Sequence, residues 1–292
     1  EENPDNSTYK EYELNPKFDK DTLNYELELL ENIGELNLKP ILSDTKSSIK
    51  IKVPQRDNDN NLVYDSDGVT IIYEEKDISN NTSTTVTLNK LGEPDTIILL
   101  MVTAEDNKTV KNYNLVVKRP FGVIKGKIYA EPMSAKGIYK AIVRIYKSND
   151  VSKKIDWSTI TSGENDTVHE DLMTLKSYDV ETNDDGTYEI KIIPGEYDVL
   201  LDKAGYLDHI YTSKTVNAGD IIDLGYKELL AGDVNKDGSI QILDMSELMK
   251  IYGANNTDPK YDIKYDFNDD MEIQILDLSY LMKNYSISRV VE

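Results

Sequence analysis

Residues Ser239–Lys250 return, 33 positions later, as Glu272–Lys283: Ile-Gln-Ile-Leu-Asp recurs unchanged, and Leu-Met-Lys closes both copies. A repeat of this kind is one small structural unit used twice, and it has to be recognised before any fold is assigned. Each copy opens on oxygen-bearing side chains at alternate positions. In the first, Asp233, Asn235, Asp237, Gly238, Ser239, Gln241 and Asp244 fall at positions 1, 3, 5, 6, 7, 9 and 12 of a twelve-residue loop. That is the spacing by which a curled loop supplies six to eight oxygens to calcium at about 2.3–2.6 Å, with Gly at position 6 for the sharp turn and a backbone carbonyl from position 7. Position 12 is Asp where the longer Glu is usual, so the loop must close more tightly. The second copy offers Asp266, Asn268, Asp270, Glu272, Gln274 and Asp277, but Met271 replaces the glycine. A side chain on left-handed backbone costs about 1 kcal/mol, so the second site is expected to bind calcium more weakly. Asp57–Asn61 has a similar alternation without the glycine or the closing acid, and reads as a solvated loop.

A helix is expected after each loop, at about 244–252 and 277–285. Met245, Leu248 and Tyr252, and likewise Leu278, Leu281 and Tyr285, recur at i, i+3, i+7 and form one apolar stripe per helix, read as the seam between the repeats. Ile242 and Leu243, with their counterparts Ile275 and Leu276, lie off that stripe. Duplicated exposed Ile-Leu pairs look like a binding surface; the competing reading is that they fill a small core. Asp258-Pro259 pairs an N-cap residue with Pro at the first helical position, which predicts a short linking helix near 259–264.

Upstream the pattern is β. Leu23–Leu29, Ile49–Val53 and Thr85–Leu88 alternate with period two, while Ile97–Val102 is continuously apolar, as in a strand buried on both faces. Val123–Tyr129, Ala141–Tyr146, Tyr188–Ile192 and Tyr197–Leu201 supply further strands, with Asp185-Gly186 and Pro194-Gly195 as hairpin or turn signals. The stretch 148–177, with Trp157 and His169, lacks periodicity and reads as a long excursion between strands, a candidate contact loop. The expected architecture is two all-β sandwiches, 9–119 and 120–230, followed by a small all-α calcium-binding module, 231–292, built from duplicated loop-helix motifs.

Composition narrows the function. With 33 Lys and Arg against 54 Asp and Glu, the formal charge is −21, which repels nucleic-acid phosphates and anionic lipid. There is no cysteine, and the two histidines, His169 and His209, are far apart in sequence, so thiolate, His-rich zinc and triad sites have little to draw on. No apolar run is long enough to cross a membrane as a helix. The first residues show no secretion signal, so the chain is expected to be either cytoplasmic or a piece of a longer secreted protein.

Residues Ala231–Tyr285 resemble a dockerin, the calcium-dependent module that plugs into cohesin in cellulosomes; both loops, both helices and the Asp258-Pro259 connector take part. In that family positions 10, 11, 17 and 18 tend to carry recognition. The resemblance thus implies that Ile242, Leu243, Met249 and Lys250, and Ile275, Leu276, Met282 and Lys283, face the partner. Val123–Leu230 resembles the X module that precedes type II dockerins, through Ile124-Lys125-Gly126, Asp184–Tyr188, Pro194–Tyr197 and Lys203–Tyr206, and runs into the dockerin with no linker at Leu229–Asp233. Tyr12–Arg119 resembles a bacterial cadherin-like sandwich through Leu14–Asp19, Val102–Asp106 and Tyr113–Val117. Together these imply two calcium ions, a cohesin partner of type II-like character, a non-catalytic anchoring role and a place outside an anaerobic bacterium. The other classes weighed are an enzyme anchored by its dockerin, which would need two opposed carboxylates in a cleft, and carbohydrate binding by some of the 20 tyrosines.

Overall fold

The computed structural model describes residues 10–31, 33–131, 141–148 and 176–292. The chain divides into two compact units, 1–120 and 121–292. Of the 148–177 excursion, residues 149–175, with Trp157 and His169, lie outside the described residues.

In the first unit β1 (Asn24–Glu28), β3 (Ser48–Pro54), β4 (Tyr73–Ile78), β6 (Thr96–Thr103) and β7 (Val110–Lys118) form one sheet in the order β1-β7-β6-β3-β4. Across its inner face lies a two-stranded sheet of β2 (Glu35–Leu38) and β5 (Thr84–Thr87). Alternation sets which face is buried: Tyr25 and Leu27, Ile51 and Val53, Leu115 and Val117, and Leu36 and Val86 point into one core. β1 joins β7 in parallel, Tyr25 opposite Leu115, while the other pairs in the large sheet are antiparallel. The expectation that β6 is buried on both faces is corrected. Ile98 is fully buried but Ile97 is exposed, because the small sheet covers only one side. Asp57 closes its own loop, its carboxylate accepting the backbone N–H groups of Asp59 (3.0 Å) and Asn61 (2.8 Å), as a solvated turn does.

The second unit opens with β8 (Gly122–Ala130), β9 (Ile142–Lys147), β10 (Lys176–Glu181), β11 (Thr187–Ile192), β12 (Gly195–Asp202), β13 (His209–Val216) and β14 (Ile221–Leu229). They make two sheets, β11-β8-β14 and β10-β9-β12-β13, and a last strand, β15 (Val290–Val291), adds in parallel to β13. The turns at Asp185-Gly186 and Pro194-Gly195 each carry the chain from one sheet to the other, so they are turns and not hairpins. Helix α1 (Ile242–Lys250), a 3-10 turn at Ile263–Tyr265 and helix α2 (Ile275–Lys283) follow.

One hydrophobic core runs through the whole second unit. Ile128, Val143, Tyr197 and Leu201 of the sandwich belong to the same buried cluster as Val234, Ile240, Leu248, Phe267, Ile273 and Leu281. Contact is close enough to demand a glycine. At Gly205 (φ +81) a Cβ would stand 2.0 Å from the carbonyl oxygen of Lys264. Tyr206 meets Phe267 edge to face at 5.6 Å. Burial of this kind is worth about 25 cal/mol per Å² of apolar surface, so separating the two parts would expose apolar surface on both. Tyr146, Tyr188, Tyr197, Tyr206 and Tyr211 are buried in this unit, which removes them from any sugar-stacking surface.

Candidate functional site

Both helices begin two residues earlier than the apolar pattern suggests and end two earlier. The cause lies at their starts: Asp244 and Asp277, at the third helical position, accept the backbone N–H of Gln241 and Gln274, each at 2.8 Å, and so fix those residues as N-caps. The apolar stripe is correspondingly shorter. Leu248 and Leu281 are fully buried and Met245 and Leu278 pack beside them, but Tyr252 and Tyr285 lie past the helix ends and are exposed. The linking helix near 259–264 is also corrected. Asp258 starts a turn, accepting Lys260 N–H at 2.8 Å, and the 3-10 turn begins later, capped by the Asp262 side chain, which accepts Lys264 N–H at 3.1 Å.

The two loops share most of their hydrogen bonds but differ at the fifth position, where Asp237 N–H donates to Asn235 Oδ1 at 3.0 Å while Asp270 N–H donates to Asp266 Oδ1 at 3.2 Å. In the first, Asp233 Oδ2 accepts Gly238 N–H at 3.1 Å and Asp237 Oδ1 accepts Ser239 N–H at 3.0 Å. In the second, Asp266 Oδ2 accepts Met271 N–H at 2.9 Å and Asp270 Oδ1 accepts Glu272 N–H at 2.9 Å. Asp244 Oδ1 takes Val234 N–H at 3.0 Å, and Asp277 Oδ1 takes Phe267 N–H at 2.7 Å. Met271 adopts φ +68 against +83 for Gly238, so the loop keeps its turn at the cost of a strained residue.

Two oxygens in this lattice are buried without a hydrogen-bond partner: Asp233 Oδ1 and Asn268 Oδ1, at positions 1 and 3. A buried acceptor left bare is expensive, and these are positions from which a calcium loop feeds its ion. The donor set of carboxylates, amides and backbone carbonyls suits a hard cation. Among the described residues no three acidic or imidazole groups are drawn onto one point. Asp233, Asp237 and Asp244 line one loop, yet Asp244 turns both oxygens to backbone N–H groups. Burial pushes the Asp233 carboxyl up to about 7, and burial also raises Asp244 and Asp277 above the usual carboxylate range.

The Ile-Leu pairs are not core. Ile242 and Leu243 are 54% and 60% exposed, Ile275 and Leu276 60% and 53%, and Met249 and Met282 are half exposed one helix length away. Lys250 is exposed. Lys283, its repeat mate, forms an ion pair with the buried Glu131 of the sandwich, which also accepts from Asn284 Nδ2 at 2.8 Å.

A second group of residues went unread in the sequence. Lys236, at position 4 of the first loop, sends its ammonium into the sandwich, donating to Asp202 (2.6 Å), Asp208 (2.6 Å) and the Tyr206 carbonyl (2.8 Å). Arg144 pairs with Asp202 from the other side. Burial alone would lower the Lys236 ammonium; the carboxylates of Asp208 and Asp202 outweigh it and hold the group above its ordinary value. The available signal was asymmetry within the repeat, since position 4 of the second loop is Asp269.

Comparison with known proteins follows the same division. A family model described as a cadherin-like beta sandwich domain matches residues 5–120, and one described as a dockerin type I domain matches residues 231–285. No curated protein matches the chain. Among solved structures, an N-terminal interface mutant of a type II cohesin–X-dockerin complex from Acetivibrio cellulolyticus is 22% identical, covering 57% of this chain and 97% of that one, with a TM-score of 0.41. The major pilin subunit of Bacillus cereus is 13% identical, over 75% of this chain and 69% of the other, at a TM-score of 0.29. A shaft pilin from Lactobacillus rhamnosus GG is 10% identical, over 69% and 94%, at 0.24. Residues 5–120 thus match a cadherin-like β-sandwich domain and residues 231–285 a dockerin type I domain, with a β-rich segment between the two matched regions.

Proposed function

We propose that residues 121–292 act as a non-catalytic, calcium-dependent anchor that binds a cohesin, with the domain at 9–119 as a spacer. In this reading 120–230 is an X-like module and 231–292 the dockerin proper. Two calcium ions are held, one by Asp233, Asn235, Asp237, Ser239, Gln241 and Asp244, the other by Asp266, Asn268, Asp270, Glu272, Gln274 and Asp277. The ions supply charge neutralisation and cross-linking of each loop; the chain's own side chains cap the helices and hold the docking face in shape. The setting is extracellular or at the cell surface of an anaerobic bacterium.

The observation that carries this is the exposure of four large apolar side chains at the first two positions of both helices, Ile242, Leu243, Ile275 and Leu276. A soluble surface does not leave such pairs uncovered twice without a partner. Met249 and Met282 extend the face, and Lys250 and Lys283 rim it. The two copies are not equivalent, because Lys283 is tied to Glu131 while Lys250 makes no ion pair among the described residues. A single docking orientation, led by the first repeat, follows.

The test pairs Ile242→Asp with Leu243→Asp, and Ile275→Asp with Leu276→Asp, against a panel of type I and type II cohesins. An interface Ile or Leu is worth roughly 1.5–3 kcal/mol, so the first pair is expected to weaken binding at least about 100-fold and the second much less. Equal losses from both pairs would mean docking in either orientation. Tight binding by the combined mutant would show that this face is not the cohesin site. The type II-like expectation and the type I family match are separated by the same panel.

A pH dependence follows from Asp233. Its metal-free carboxyl titrates near 7, above its unfolded value of 3.8, so the folded apo chain holds an extra proton between those limits and loses stability as pH rises through them. Calcium needs the carboxylate, so binding releases that proton. Calorimetric affinity of the first site is expected to fall about 20-fold from pH 7.5 to 5.5, with about one proton released per ion near pH 6. An affinity flat across this range would show that Asp233 is already ionised or is not a ligand.

A further inference from the structure

The duplication supplies an internal control, because the two loops differ in what lies across their sixth position. Each loop is paired with the segment that follows the other repeat's helix. Ile240 donates to Ile287 O at 2.9 Å and accepts from Ser286 N–H at 2.8 Å; Ile273 does the same with Ala254 and Gly253, both at 2.8 Å. Next along, Arg289 N–H reaches Gly238 O at 2.8 Å, and Asn256 N–H reaches Met271 O at 3.0 Å. Arg289 and Asn256 therefore hold equivalent places, 33 residues apart.

Their side chains do different things. The Arg289 guanidinium lies flat against Gly238, 2.6 Å from where a Cβ would stand, with its side chain 7% exposed and Nη2 3.9 Å from Asp208 Oδ2. Asn256 Nδ2 instead reaches the Met271 sulfur at 3.2 Å. The sixth position of the second loop can carry a side chain because Asn256 leaves it room. At the first, a side chain would have to displace the buried Arg289 guanidinium, over and above adopting the positive φ that Met271 also takes. Beyond Arg289 the tail is stitched to the sandwich. Val290 and Val291 pair with His209 and Ile210, Glu292 N–H donates to Ile210 O at 2.8 Å, and Glu292 O accepts from Thr212 N–H at 2.6 Å.

We infer that Arg289 is a clamp on the first loop, so that an ion held there leaves much more slowly than one in the second. This rests on the calcium reading of the loops. Release of a chelated ion requires local opening, whose rate depends on the contacts that must break. Opening the second loop breaks its pairing with Gly253–Asn256 and the Tyr261 hydroxyl's bond to Asp266 (2.6 Å), but no buried cation lies across its sixth position. Opening the first also lifts a buried guanidinium off Gly238 and strains the strand that binds the tail to β13.

The experiment is stopped-flow release of calcium from the full chain into excess fluorescent chelator. Two phases are expected, the slow one lost in Asp233→Ala and the fast one in Asp266→Ala. Arg289→Asn, which installs the second repeat's residue, should speed the slow phase at least tenfold and leave the fast phase unchanged. Gly238→Met should abolish the slow phase while Arg289 is present, and adding Arg289→Asn should restore first-loop binding with fast release. A slow phase unmoved by Arg289→Asn, or no rescue in the double variant, overturns the clamp. A chain that takes up no calcium at all removes the calcium reading itself, and the clamp with it.

Discussion

Chelation of calcium is expected to lower the melting transition of residues 121–292 by about 10–30 °C, while that of the first unit stays in place. A ligand at a thousand times its dissociation constant stabilises the folded form by about 4 kcal/mol per site, and each kcal/mol moves a domain of this size by roughly 2–4 °C. The effect is not confined to the helices. Val234, Ile240, Phe267 and Ile273 lie within the loops and also belong to the core shared with Ile128, Val143 and Leu201, so losing the ions is expected to loosen the sandwich as well. Differential scanning calorimetry with and without chelator checks this. Two transitions are expected, one indifferent to calcium. A second-unit transition unmoved by chelator would remove calcium as a folding ligand, and a sandwich that melts separately from the helices would refute the common core.

Lys236→Met should cost the second unit about 3–5 kcal/mol, read in the same calorimeter as a fall of at least about 6 °C. The ammonium is the shared partner of Asp202 and Asp208, and Asp208 is fully enclosed. Removing one member of a buried ionic group leaves charge behind with nowhere to go, and this is a larger penalty than the net worth of the group. No calcium ligand is altered, so the loss would appear in excess calcium too. A change under about 1 kcal/mol would mean that Arg144 and Arg289 alone neutralise the two aspartates.

The sequence and the structure agree best where geometry is written into local spacing. The oxygen pattern of both loops, the positive φ at Met271 and the exposure of the Ile-Leu pairs could all be read from residue order. Helix boundaries could not, because Asp244 and Asp277 serve both as the closing acids of the loops and as caps, and a cap sets the start of a helix more firmly than its apolar period does. The apolar run in β6 misled for a different reason: hydrophobicity does not report how many layers a sheet will have. The Lys236 and Arg289 contacts lay out of reach because both join residues about 30 to 80 positions apart across a sandwich whose strand order no local pattern encodes. The division into a sandwich and a separate helical module was legible as a change of periodicity, but periodicity does not reveal that both sides draw on one core.

The placement of β15 bears on how the protein is made. β13 is complete once the ribosome has passed Val216, but the strand that covers its free edge arrives about 70 residues later. At ordinary rates of synthesis, that interval is roughly 4–15 s. Through it the nascent chain presents an uncovered strand with His209, Ile210 and Tyr211 at its head, next to apolar surface that α1 and α2 have yet to cover. Such an edge is a template for pairing with a neighbouring chain. Soluble yield of this protein should therefore depend on translation speed and on spacing between ribosomes more than its folded stability would suggest, and truncations that remove Val290, Val291 and Glu292 should make the exposure permanent.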